Sequence, residues 1–163
     1  MSVADDVVVV LKKGREEFLA LADSLDHGDW IRETPDNETW TVRDTLSHLT
    51  ASDRSMVSLV RAVQEGRYDL EAAKGFDLDA FNARQVERRR ADDIATLRAE
   101  MDEHRGLLTD LVATLDDAQL ETPVWSFEID GHSASPKPLR QRLQEYATHD
   151  AYHAAHIRTA IAR

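Results

Sequence analysis

The chain has no cysteine. Its absence rules out disulfides, thiolate metal sites and cysteine nucleophiles together. Long apolar runs are missing too. No stretch approaches the ~20 apolar residues of a membrane span. The opening MSVADDVVVVLKKG puts acids before a short apolar run, where a secretory signal needs basic residues and a longer one. These features point to a cytoplasmic protein with no membrane partner. Positive charge is in deficit: 20 Lys and Arg face 31 Asp and Glu, a net charge of -11 with pI near 5.0. An acidic surface repels phosphate, so nucleic acid is not an expected partner. The one basic run, Arg84 with Arg88, Arg89 and Arg90, is followed at once by Asp92 and Asp93 and reads as a solvated helix face.

With 163 residues the chain fits one domain, taken here as 1–163. Helical signals dominate. From Ala4 to Leu25 the residues Val7, Val10, Leu11, Phe18, Leu21 and Leu25 recur near helical spacing. Asp26 to Thr39, with Gly28, Pro35 and Asn37, reads as a loop. Thr41 ahead of Val42, Arg43 and Asp44 is an N-cap signal, and the stripe Leu46, Leu49, Met56, Val60, Val63 runs on to about Glu65. Gly66 is the expected stop. A third helical region covers about Leu78 to Leu115, with a break near Ala91 and Asp92. The link 116–136 carries an extended candidate, VWSFEI, before the Asp130–Gly131 turn. Ser135 and Pro136 then suggest a capped start for a last helix over Lys137 to Ala162. Four long helices make an all-α four-helix bundle the expected fold.

Histidine is where chemistry can concentrate. His149, His153 and His156 fall in the last helix. His149 and His153 are one turn apart on one face, with Cβ atoms about 6 Å apart, a spacing that lets two imidazoles hold one ion. His153 and His156 could also share one, but His149 and His156 are roughly 10 Å apart along the helix, so one ion does not take all three. His48 is the best third ligand, because it sits inside a helix with the small polar Ser52 and Ser55 on its face. Three neutral imidazoles with an open fourth position suit catalytic zinc, and nickel or iron as well. The plain alternative is a set of solvated histidines near a helix C-terminus, whose positive form the helix dipole favours. His27, His104 and His132 read as ordinary residues, with His132 in a loop that could fold over a pocket.

Three segments carry a resemblance. WTVRDTLSHLTASDR (Trp40–Arg54) resembles the second-helix motif of the DinB-like metal-binding bundles, and HDAYHAAHI (His149–Ile157) resembles their last-helix motif. DLDAFNARQVERRR (Asp77–Arg90) is similar to the middle of the mycothiol-dependent maleylpyruvate isomerase N-terminal domains. The resemblance implies a DinB-like four-helix bundle, often a homodimer, with zinc or nickel at one end. It places the metal ligands on His48, His149 and His153, and a polar neighbour of the site on His156. It implies a metal-dependent thiol transferase using mycothiol, bacillithiol or glutathione, with a small-molecule electrophile or xenobiotic as substrate and detoxification as its role. The isomerase has a glutamate where His149 stands and a further C-terminal domain, so isomerase activity is not carried over. A non-catalytic, metal-stapled bundle that sequesters a ligand or toxin, or a metal-dependent hydrolase, are the alternatives. Arg43, Ser52 and Asp53 are within reach of a pocket but read first as structural, while Asp150 and Tyr152 point away from the ligand face. Trp40 is expected to anchor the start of the second helix. Trp30 reads as loop packing, and Trp125 with Phe127 as a cover over one end of the bundle or a partner subunit.

Overall fold

The computed structural model describes residues 2–127 and 134–162. In chain order it comprises α1 (Val3–Asp23), a 3-10 turn (Asp29–Ile31), the hairpin β1 (Glu33–Thr34) and β2 (Asn37–Thr41), and α2 (Val42–Gln64). A single turn α3 (Leu70–Ala73), α4 (Leu78–Arg88), α5 (Ile94–Ala113) and a second single turn α6 (Asp117–Leu120) follow. A second hairpin, β3 (Pro123–Phe127) with β4 (Ala134–Pro138), leads into α7 (Leu139–Tyr146) and α8 (His149–Ile161). α1, α2, α5 and the α7–α8 pair form the expected all-α four-helix bundle, with α2 against α5 and α1 against α5, α7 and α8. No helix among the described residues is long and apolar enough to cross a membrane.

Local signals explain the helix ends. Thr41 and Asp44 make a reciprocal capping box at the start of α2, so two otherwise free amides are satisfied. At its other end Gly66 takes φ 66°, and the amides of Gly66 and Arg67 reach the carbonyls of Val63 and Ala62. That is the paired closure a left-handed glycine permits. The third helical region breaks where expected. Arg43 reaches across from α2 to the break, donating to the carbonyls of Arg89 at 2.6 Å, Arg90 at 3.0 Å and Asp92. It is a structural residue.

Two expectations need correction. Asp26 to Thr39 is not simply a loop, because Glu33–Thr34 and Asn37–Thr41 pair across Pro35 and Asp36. The last helix is neither capped by Ser135 nor continuous. Residues preceding proline are pushed out of the helical region, so Ser135 and Lys137, ahead of Pro136 and Pro138, stay extended as β4 against β3. The helix starts only at Leu139. It breaks again at Ala147 and Thr148, where the Ala147 carbonyl lies against Gly14 of α1. A Cβ on Gly14 would sit 2.8 Å from that oxygen. The extended piece at Trp125 and Phe127 is borne out as β3, while the Asp130–Gly131 turn lies outside the described residues.

The core has two apolar clusters. One holds Leu11, Met56, Val60, Leu108, Val112 and Leu143, and the other Phe18, Leu46, Leu49, Leu97, Met101 and Ile157. In each long helix one buried charged residue sits in sequence between the two: Arg15, Asp53, Arg105 and Asp150. They meet as one polar layer. Arg15 pairs with Asp53 at 2.8 Å and Asp150 at 3.0 Å, and Arg105 pairs with Asp53 at 2.8 Å and Asp150 at 3.2 Å. Tyr146 donates its hydroxyl proton to Asp53 at 2.7 Å. Two cations and two anions balance, which keeps such burial tolerable. Asp53, read first as structural, is fully buried in this layer.

Candidate metal centre

α2 and α8 bring three imidazoles together. His48 Nε2 lies 3.2 Å from His149 Nε2, and His153 Nε2 lies 3.1 Å from His149 Nε2. Candidate ligand atoms of all three fall within 4.8 Å of one another. His48 and His153 are buried, with 6% and 5% exposure, and His149 is partly buried. Helical spacing aligns His149 and His153 on one face. His48 reaches them because it lies on the buried side of α2, beside Leu46 and Leu49. Two imidazole nitrogens this close must share either a proton or a cation. A tetrahedral ion at about 2.0–2.1 Å from each nitrogen spaces its ligands by about 3.3 Å, close to the distances present.

The electrostatics disfavour protonation of two of the rings, His48 and His149. Burial, then the neighbouring His153, lowers the His48 pKa to about 3. Burial, then His153 and His48, with smaller effects of Arg142 and Arg105, puts His149 well below its ordinary value. Neutral imidazoles offer the lone pair that a metal needs. The Nδ1 atoms of His48, His149 and His153 are buried without a hydrogen-bond partner among the described residues. The inward Nε2 atoms, not the Nδ1 atoms, are therefore the organised ones. This donor set fits a divalent ion.

Each ring has its own backing. His153 Nδ1 is 3.2 Å from Asp36 Oδ2, at the tip of the β1–β2 hairpin. The Asp36 carboxyl is held at about 2: burial opposes ionisation, but the contacts with His153 outweigh it. A carboxylate behind a ligand histidine fixes the ring and its tautomer. Trp40 packs its ring 5.0 Å from His48, and Tyr146 sits 5.4 Å from His149, centroid to centroid. Trp40 thus backs His48 as well as preceding α2.

The other histidines stay apart. His156 donates from Nδ1 to the Tyr152 carbonyl at 3.0 Å and lies 3.8 Å from Asp36. It is a neighbour of the site and not one of the clustered three, as the resemblance implied. His27 is exposed, His104 lies on α5 near Glu100, and His132 is outside the described residues. Ser52 bonds its hydroxyl to the His48 carbonyl at 2.9 Å, inside its own helix. Asp36 escaped the sequence reading. Its only signal was a Pro–Asp pair in a segment taken for loop, and its histidine partner lies on a distant helix.

No curated protein and no solved structure matches the chain. The mycothiol maleylpyruvate isomerase N-terminal domain family matches over residues 11–151. That match takes in His48 and His149 and stops two residues before His153, whose place beside them comes from the fold. The match covers most of the chain, and the chain belongs to the mycothiol maleylpyruvate isomerase N-terminal domain family, a DinB-like family.

Proposed function

We propose that this protein is a divalent-metal-dependent enzyme that joins a low-molecular-weight thiol, of the mycothiol, bacillithiol or glutathione type, to an electrophilic small molecule. The observation that carries the reading is the convergence of three imidazoles, with no fourth histidine or carboxylate in the cluster among the described residues. Three protein ligands leave a position for an exogenous molecule, the pattern of catalytic and not of purely structural sites. Zinc or nickel held there supplies Lewis acidity, which lowers the pKa of a thiol at neutral pH. The chain has no cysteine, so the sulfur belongs to a cosubstrate.

The chain's own residues prepare the site. Asp36 stands 3.2 Å from His153 Nδ1, on the side of the ring away from the other two histidines. Its negative charge also offsets part of the ion's charge. Trp40 and Tyr146 cover the flanks of His48 and His149. Arg43, Ser52 and Asp53 are committed elsewhere, so they are not assigned as acid or base. The thiol proton passes to solvent. The sulfur then forms a bond to carbon: a halide departs with its electron pair, an epoxide oxygen keeps the pair of the opened C–O bond and takes a proton from solvent, and an activated alkene shifts its π pair toward the activating group and takes a proton from solvent.

The test is the metal content of untagged protein beside His48→Ala and His153→Ala. About one equivalent in the wild type, lost in both variants, is expected from a single three-histidine site. The loaded protein is then mixed with each thiol and an epoxide, halide or activated alkene, and the adduct mass is sought. Metal without thiol-dependent turnover favours a sequestering bundle, and turnover with water alone favours a hydrolase. No metal after reconstitution with zinc and nickel overturns the reading.

A further inference from the structure

Two arginines stand over the ring of Tyr146. The guanidinium carbon of Arg105 is 5.5 Å from its centroid, and that of Arg142 is 5.7 Å. Their surroundings differ. Arg105 is paired with both Asp53 and Asp150 in the polar layer. Arg142 makes no ion pair or hydrogen bond among the described residues, and its Nε is shut away from solvent with no partner. The neighbouring acid, Glu145, is engaged elsewhere. Its Oε1 accepts from Lys137 at 2.8 Å and Gln141 at 3.0 Å, and its Oε2 from Ser126 at 3.2 Å. The Tyr146 hydroxyl proton goes to Asp53, and the hydroxyl of nearby Tyr68 accepts the Trp125 amide at 2.8 Å.

Arg142 is linked to the histidines through one ring. It lies on α7, one turn before Tyr146 and two before His149, and the ring it covers is the ring packed on His149. A guanidinium stays charged at any physiological pH, and a partly buried one without a counter-ion is costly. Its planar fork matches a carboxylate in two parallel hydrogen bonds.

We infer that Arg142 binds a carboxylate-class anionic group of the small molecule held at the three histidines, and so selects for negatively charged ligands. This rests on the metal reading above. The site would then distinguish two thiols of similar size by charge, with Arg142 as the residue that makes the distinction.

The probe is cobalt-loaded protein titrated with mercaptoacetate and with 2-mercaptoethanol, read by visible absorption. Wild type is expected to prefer mercaptoacetate by about tenfold or more, the scale of one charge-assisted contact. R142Q is expected to lose that preference with little change for mercaptoethanol, and R142K to keep part of it. Unchanged metal content and an unchanged thiol-free cobalt spectrum in R142Q show that the histidines are intact. A preference that survives in R142Q overturns the inference. A second measurement needs no metal: acetate is titrated into metal-free protein and the Arg142 Nε–H resonance is followed by NMR. A saturable shift is expected, and its absence overturns the inference even if the protein takes up no metal, whereas failed metal uptake alone counts only against the metal reading.

Discussion

At the scale of single residues, Asp36 is the clearest test of how the site is held. Its carboxylate is the one acidic group against the three clustered rings among the described residues, 3.2 Å from His153 Nδ1. Asp36→Asn keeps the shape and removes the charge. Metal affinity is expected to fall by about 10–100-fold with the fold retained, measured by chelator competition. Equal affinities would mean that the carboxylate does not orient the ligand. Protons compete for the same nitrogens. In the unfolded chain an imidazole protonates near pH 6.5, on the order of its free value. In the fold His48 is held to about 3 and His149 well below normal. Below about pH 6.5 the unfolded chain therefore binds protons that the fold refuses, so stability is full above that pH and declines as pH drops toward about 3. Melting curves of metal-free protein across this window should show the decline, and His48→Phe should shrink it.

At the scale of elements, the junction of α7 and α8 matters most. It sets where His149 points, and it rests on Gly14. Gly14→Ala puts a methyl 2.8 Å from the Ala147 carbonyl oxygen, a backbone atom with little freedom to yield. Overpacking of this kind costs about 1–3 kcal/mol, more than the helix propensity that alanine returns. Gly106→Ala on α5 is the matched control, because nothing lies within 4 Å of its added carbon. It should stabilise by about 0.5–1 kcal/mol. Thermal midpoints moving in opposite directions would confirm the close approach. Two midpoints rising together would show that the junction accommodates the methyl. The glycine was visible in the sequence, but its reason was not, since the atom it avoids belongs to a helix at the far end of the chain.

At the scale of the whole molecule, the polar layer ties four helices into one register. Each helix contributes one charge between two apolar clusters, and any slide of one helix by a turn would place a charge against hydrocarbon. Asp53→Ala leaves Arg15 and Arg105 short of a carboxylate and Tyr146 without its acceptor. A loss of about 3–5 kcal/mol is expected from denaturant unfolding. A change under about 1 kcal/mol would mean that water or movement already screens the layer.

Much of this architecture follows from local rules. The capping box at Thr41, the stop at Gly66, the break near Ala91 and the spacing of His149 and His153 are all short-range features, set by backbone chemistry and the helical repeat. They suffice to predict an all-α bundle and two ligands on one face. The layer had a local trace as well, because Arg15, Asp53 and Arg105 interrupt apolar stripes at helical spacing. What the residues alone left open was pairing across distance. That His48 approaches the last helix, that Asp36 comes under His153, that Asp150 turns to two arginines while Arg142 keeps none, and that α7 and α8 part over Gly14 were decided only when the helices packed. Such contacts depend on how whole elements are oriented, and no repeat of 3.6 residues encodes that.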